Sequence, residues 1–114
     1  MTIAFARRTA STLWLLAALG LAPLAAAAAD PDGAALYQAN CAKCHGPDGR
    51  AETAAGKAMK APDLLQSTAA KGDPAFLAEK IGAIDKHKMI TSKLSPAELN
   101  AIARTVHNMA SPKK

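Results

Sequence analysis

Asn40-Cys41-Ala42-Lys43-Cys44-His45-Gly46-Pro47-Asp48-Gly49 is the stretch on which the reading of this chain turns. It holds the two cysteines of the sequence, spaced C-x-x-C, with a histidine directly after the second. A redox-active disulfide of that spacing belongs after a strand in a thioredoxin-like setting, whereas here an alanine-rich segment with helical character precedes it. A structural zinc site needs four ligands. After Cys41, Cys44 and His45 only His87 or His107 remains to complete it, with no second close pair. A plain disulfide leaves His45 without a role, and two cysteines are too few for the multi-bridge framework of a stapled secreted fold.

The pattern C-x-x-C-H is the attachment signature of a c-type haem. Both thiols must reach the two vinyl groups on one edge of the porphyrin and form thioethers, and the next imidazole swings under the plane to bind iron. Cys41 and Cys44 are therefore the expected anchors of one covalently attached haem c, and His45 its first axial ligand.

Composition supports a chain that needs such a group. The sequence has 114 residues, half of them hydrophobic, but only four aromatics. Much of the alanine lies in the first 29 residues, which read as an address. Arg7 and Arg8 form a positive n-region, and Leu13 to Ala22 a short apolar run broken by Pro23. Ala27-Ala28-Ala29 then offers a small-residue cleavage site. A membrane anchor would need about 20 apolar residues. Residues 1–29 are expected to be a cleaved secretory signal peptide, with the paired arginines compatible with twin-arginine export. Residues 30–114 are expected to form one exported, soluble domain of the periplasm. Its 85 residues keep twelve basic groups against nine acidic ones, and Tyr37 and Phe76 as the aromatics. So thin a core benefits from a cofactor as a staple. The formal charge of +5 does not indicate nucleic-acid binding, because basic residues form no stripe interleaved with aromatics and no block beyond Lys113-Lys114.

Helix signals dominate and no strand is convincing. Asp32-Gly33 opens an amphipathic segment running into Cys41. Gly46 to Ala61 is small and polar and reads as a loop, and Pro62-Asp63-Leu64-Leu65 as the start of a short helical turn. Asp73-Pro74 caps a helix closed by Gly82. Ser95-Pro96-Ala97-Glu98 is a capping box with proline at the first helical position. Behind it Leu99, Ile102, Ala103, Val106 and Met109 make one apolar face.

These residues resemble those of the small bacterial class I cytochromes c over nearly all of residues 30–114. Gly33-Ala34-Ala35-Leu36-Tyr37 resembles the Gly-x-x-x-aromatic of that family's N-terminal helix, where glycine permits close crossing by the C-terminal helix. Cys41 to Gly49 matches its haem segment. Ala61-Pro62-Asp63-Leu64 is similar to the segment whose proline carbonyl accepts the proton-bearing nitrogen of the axial histidine, a bond that fixes tautomer and ligand strength; Pro62 is the candidate. The resemblance implies an all-α, cytochrome c-like fold of three to five short helices wrapped around one haem. There are two departures. Ile102-Ala103-Arg104-Thr105-Val106 stands where the family carries an aromatic, which weakens the expected helix crossing. Met89 is followed by Ile90 rather than proline, which leaves its loop less rigid.

The second axial ligand is sought among Met59, Met89, Met109, His87 and His107. The family places its methionine in the loop before the last helix, so Met89 is expected to pair with His45 at the iron. Met109 reads as core filler, Met59 as cover for the haem edge, and His87, between Lys86 and Lys88, as a solvated side chain and the rival ligand. The functional expectation is a one-electron carrier, not an enzyme, that meets redox partner proteins as a monomer. Lys43, Lys57, Lys60, Lys86, Lys88 and Lys93 are expected to offer a positive rim to acidic docking surfaces. The alternatives are an open-site or bis-histidine haem protein with peroxidase-like or ligand-binding activity, and a cytochrome subunit of a larger periplasmic oxidoreductase.

Overall fold

The computed structural model describes residues 29–113, so the signal-peptide segment lies, but for Ala29, outside the described residues. Those residues are helical and contain no strand. Seven α-helical segments follow in order: α1 (Gly33–Asn40), α2 (Ala42–His45), α3 (Ala54–Met59), α4 (Thr68–Lys71), α5 (Pro74–Ala83), α6 (Lys88–Thr91) and α7 (Pro96–Ala110). Two 3-10 turns, Leu64–Gln66 and Asp85–His87, stand before α4 and α6. The division is finer than three to five helices because four of the α segments are six residues or shorter.

The start signals act as their chemistry requires. Asp32 accepts from the backbone N–H groups of Ala34 and Ala35, both at 3.0 Å, and Asp73 accepts from those of Ala75 and Phe76. At α7 the Ser95 hydroxyl accepts from the Glu98 N–H, while the Glu98 carboxylate accepts from the Ser95 N–H at 2.7 Å. That reciprocal bond holds the Glu98 carboxyl below its ordinary pKa. Gly82 does not close α5, which runs on to Ala83.

The apolar face of α7 is the spine of the core. Ala101, Ile102, Ala103 and Val106 are buried on it, and Tyr37 of α1, Ala70 of α4 and Leu77 and Ala78 of α5 pack around them. At the crossing of α1 and α7 a Cβ at Gly33 would collide with the Ala101 carbonyl oxygen. Glycine is therefore required there by contact, which is the role the resemblance assigns it. Ile102, 1% exposed, fills the position beside the crossing.

The region from Gly46 to Ala61 is not loop throughout. Thr53 caps α3 by accepting from the Gly56 N–H, and Lys60, in the left-handed region at φ 52°, ends it. The sequence Ala54-Ala-Gly-Lys-Ala-Met59 has too little apolar contrast to show a helical period. The stretch before α7 likewise proves helical, through the 3-10 turn at Asp85–His87 and then α6.

Candidate functional site

α1 ends at Asn40 and α2 begins at Ala42, so Cys41, Cys44 and His45 lie on one short helical stretch. Its end is braced from three sides. Gly46, at φ 78°, turns the chain out of α2, and the buried Tyr37 hydroxyl donates to the Gly46 carbonyl at 2.7 Å. The Thr53 hydroxyl shares its proton between the carbonyls of Lys43 and Cys44, at 2.8 and 3.0 Å. Gly56 brings α3 so close that a Cβ there would strike the Cys44 carbonyl. Thr53 and Gly56 hold the motif in place, yet neither carries a sequence signal of its own, because their roles arise from contact across a turn.

The motif forms one wall of a cavity of about 470 Å³, within the range of a cofactor-sized pocket, roughly 300–1,000 Å³. Its other walls are largely apolar and come from α5, α6 and α7, with Leu77, Ile81, Ile90 and Ile102 among them. Cys41 and Cys44 are free thiols facing this space. Burial, with Cys44 beside it, pushes the Cys41 thiol up to about 11. Among the described residues no three His, Cys, Asp or Glu side chains gather as a metal-holding group. The residues thus fit a planar apolar group anchored at one edge, and not a tetrahedral zinc site.

His45 lines the cavity, and its Nδ1 lies 3.3 Å from the Pro62 carbonyl oxygen. A carbonyl can only accept, so Nδ1 carries the proton and Nε2 presents its lone pair. Burial lowers the His45 pKa, the bond to Pro62 opposes that, and His87 nearby lowers it further. The neutral ring is the form that binds a metal.

The structure does not bring Met89 to this site. Its side chain is 82% exposed and takes no part in the cavity wall. The expected pairing of His45 with Met89 therefore finds no geometric support. The reason is local: the loop expected around Met89 is helical, and the turn of α6 aims that position outward. His87 is not solvated as expected. It is half-buried, lines the cavity, and its ring centroid lies 6.1 Å from that of His45, with the planes at 73°. Its Nδ1 donates to the Ile81 carbonyl at 3.0 Å, an acceptor that no sequence pattern announces. Met59 lines the cavity at the end of α3, and Met109 packs against the core. His107 donates through Nδ1 to Ala70 and takes no part in the wall.

Of the expected lysine rim, Lys60 and Lys86 border the cavity and are joined by Lys80. The Lys86 ammonium donates to the Met59 carbonyl at 3.2 Å and so straps the end of α3 to the segment before α6. Lys43, Lys57, Lys88 and Lys93 are exposed away from the wall, and Lys88 pairs with Asp85 at 2.8 Å.

A protein-family model described as cytochrome C oxidase, cbb3-type, subunit III matches residues 28–111. No curated protein and no solved structure gave a match. No helix among the described residues is long and apolar enough to cross a membrane.

Proposed function

The chain belongs to the family of cytochrome c oxidase, cbb3-type, subunit III, a membership that supports haem-based electron transfer, and we propose that it acts as a diffusing one-electron carrier of the periplasm rather than an enzyme. It carries a covalently bound haem c, which supplies a one-electron iron couple. Cys41 and Cys44 hold the group, so that a chain too small to enclose it does not lose it. His45, its tautomer fixed by the Pro62 carbonyl, would hold the iron through Nε2, and that bond to Pro62 would keep the ring in one orientation. The braces from Tyr37 and Thr53 limit movement of the motif, which keeps reorganisation small.

The observation that carries this reading is the chemistry of the wall. It is predominantly apolar and, among the described residues, includes no carboxylate. A peroxidatic site wants an acid/base pair positioned over the metal, and an apolar wall instead excludes water and protects a simple change of charge. Lys60, Lys80 and Lys86 at the border would steer a partner with an acidic face, through a small and transient contact.

Carbon monoxide and cyanide test the reading against an open-site enzyme. The carrier should bind either ligand slowly or not at all while exchanging electrons rapidly with small redox dyes. Fast cyanide binding together with peroxide turnover would overturn it. The family description favours a second reading, a haem subunit of a larger oxidase. Co-purification from native membranes in a stoichiometric complex would establish that reading in place of the free shuttle.

A further inference from the structure

On the carrier reading above, we infer that His87, and not Met89, is the second axial ligand, so that the haem iron is held between two imidazoles. Three observations converge on this. The first is separation. An imidazole nitrogen binds a first-row metal ion at about 2.0 Å, and the ring centroid sits about 1.1 Å behind that nitrogen, so two rings sharing one ion have centroids about 6.2 Å apart. The centroids of His45 and His87 are 6.1 Å apart. The second is tautomer. Both rings give Nδ1–H to a backbone carbonyl, of Pro62 at 3.3 Å and Ile81 at 3.0 Å, which leaves Nε2 of each as the free donor. Both line the same cavity, and His107, which shares the Nδ1 arrangement, does not.

The third is helical phase. His87 ends the 3-10 turn that runs directly into α6. Residues two apart on a helix point about 200° apart around its axis, so His87 and Met89 face opposite ways. Ile90 and Thr91, three and four residues after His87, return to its side, and both line the cavity. The Thr91 hydroxyl donates to the His87 carbonyl at 3.2 Å, which fastens that turn. Exposing Met89 instead of His87 is the consequence, and exchanging them would require the turn to unwind.

The spectrum of the wild-type ferric holoprotein tests this. A His/His pair gives a low-spin haem without the far-red band that methionine ligation produces, and near-infrared magnetic circular dichroism reports the axial pair directly. The crossed ring planes, 73° apart, leave the two iron dπ orbitals close in energy, and electron paramagnetic resonance should show a strongly anisotropic low-spin signal. Met89→Ala should leave all three signatures and the reduction potential unchanged. His87→Ala should turn the haem high-spin, with added imidazole restoring the low-spin spectrum. A far-red band in the wild type that Met89→Ala abolishes would overturn the inference, as would a high-spin wild type or a spectrum indifferent to His87→Ala. If His87→Ala does not fold, the wild-type dichroism still decides between His/His and any other pair. Covalent haem on the denatured wild-type chain is scored separately, so failure of the haem reading itself is told apart from failure of this ligand.

Discussion

Tyr37 is 1% exposed and spends its hydroxyl on the Gly46 carbonyl at 2.7 Å. Tyr37→Phe removes that bond, but Gly46 keeps a second donor in the Gly49 N–H at 3.2 Å. The loss should therefore be that of one net hydrogen bond, about 1 kcal/mol, and not the larger penalty of an orphaned carbonyl. The urea midpoint of the ferric holoprotein measures it. Burial also holds the Tyr37 pKa far above its ordinary 10.0. In the unfolded chain the phenol ionises from about pH 10, while the folded state resists, so the stability it contributes is whole below that pH and lost above it. Wild type should lose stability more steeply than Tyr37→Phe from about pH 10 upward. Equal slopes in denaturation series across that range would remove Tyr37 as the cause.

Among the elements, the crossing of α1 and α7 and the start of α7 carry the clearest tests. Gly33→Ala offers a better helix former, worth up to about 1 kcal/mol, but the new Cβ meets the Ala101 carbonyl. Overpacking against backbone costs about 1–3 kcal/mol, so the clash should win and the melting temperature should fall. Ser95→Ala removes the hydroxyl that accepts from Glu98 N–H, for about 1 kcal/mol. Because Ser95 is exposed and outside the cavity wall, this loss should appear in the thermal transition with the visible spectrum unchanged.

For the whole molecule the cavity governs stability. Among the described residues the buried core consists of Tyr37, Ala51, Ala70, Leu77, Ala78, Ala101, Ile102, Ala103 and Val106, and five of those nine are alanine. Such a core cannot offset chain entropy around a void of about 470 Å³. A Cys41→Ala/Cys44→Ala chain, made without haem, should be largely unfolded by circular dichroism, whereas the holoprotein melts cooperatively. A sharp transition in the haem-free variant would contradict this. If, as proposed, Lys60 and Lys86 steer a partner with an acidic face, electron transfer to it should slow as salt rises, and Lys60→Glu with Lys86→Glu should slow it and flatten its salt dependence, as stopped-flow measurement would record.

How much of this was legible before folding depended on how local the chemistry was. Cys41, Cys44 and His45 are adjacent in the chain, so their spacing alone announced haem attachment, and the caps at Asp32, Asp73 and Ser95 announced three helices because a cap acts within a few residues. The Pro62 carbonyl was reached through family resemblance, and its position is seen only when the chain folds back over 17 residues. The site's braces, Thr53 and Gly56, were invisible, since a small residue at a contact looks like any small residue in a loop. The distal side depended most on tertiary structure. Sequence set His87 and Met89 two residues apart in what read as one loop. The phase of the turn from Asp85 to Thr91, fixed by packing and by the Ile81 carbonyl, decided which of them faces His45, because on a helix two residues amount to a change of side.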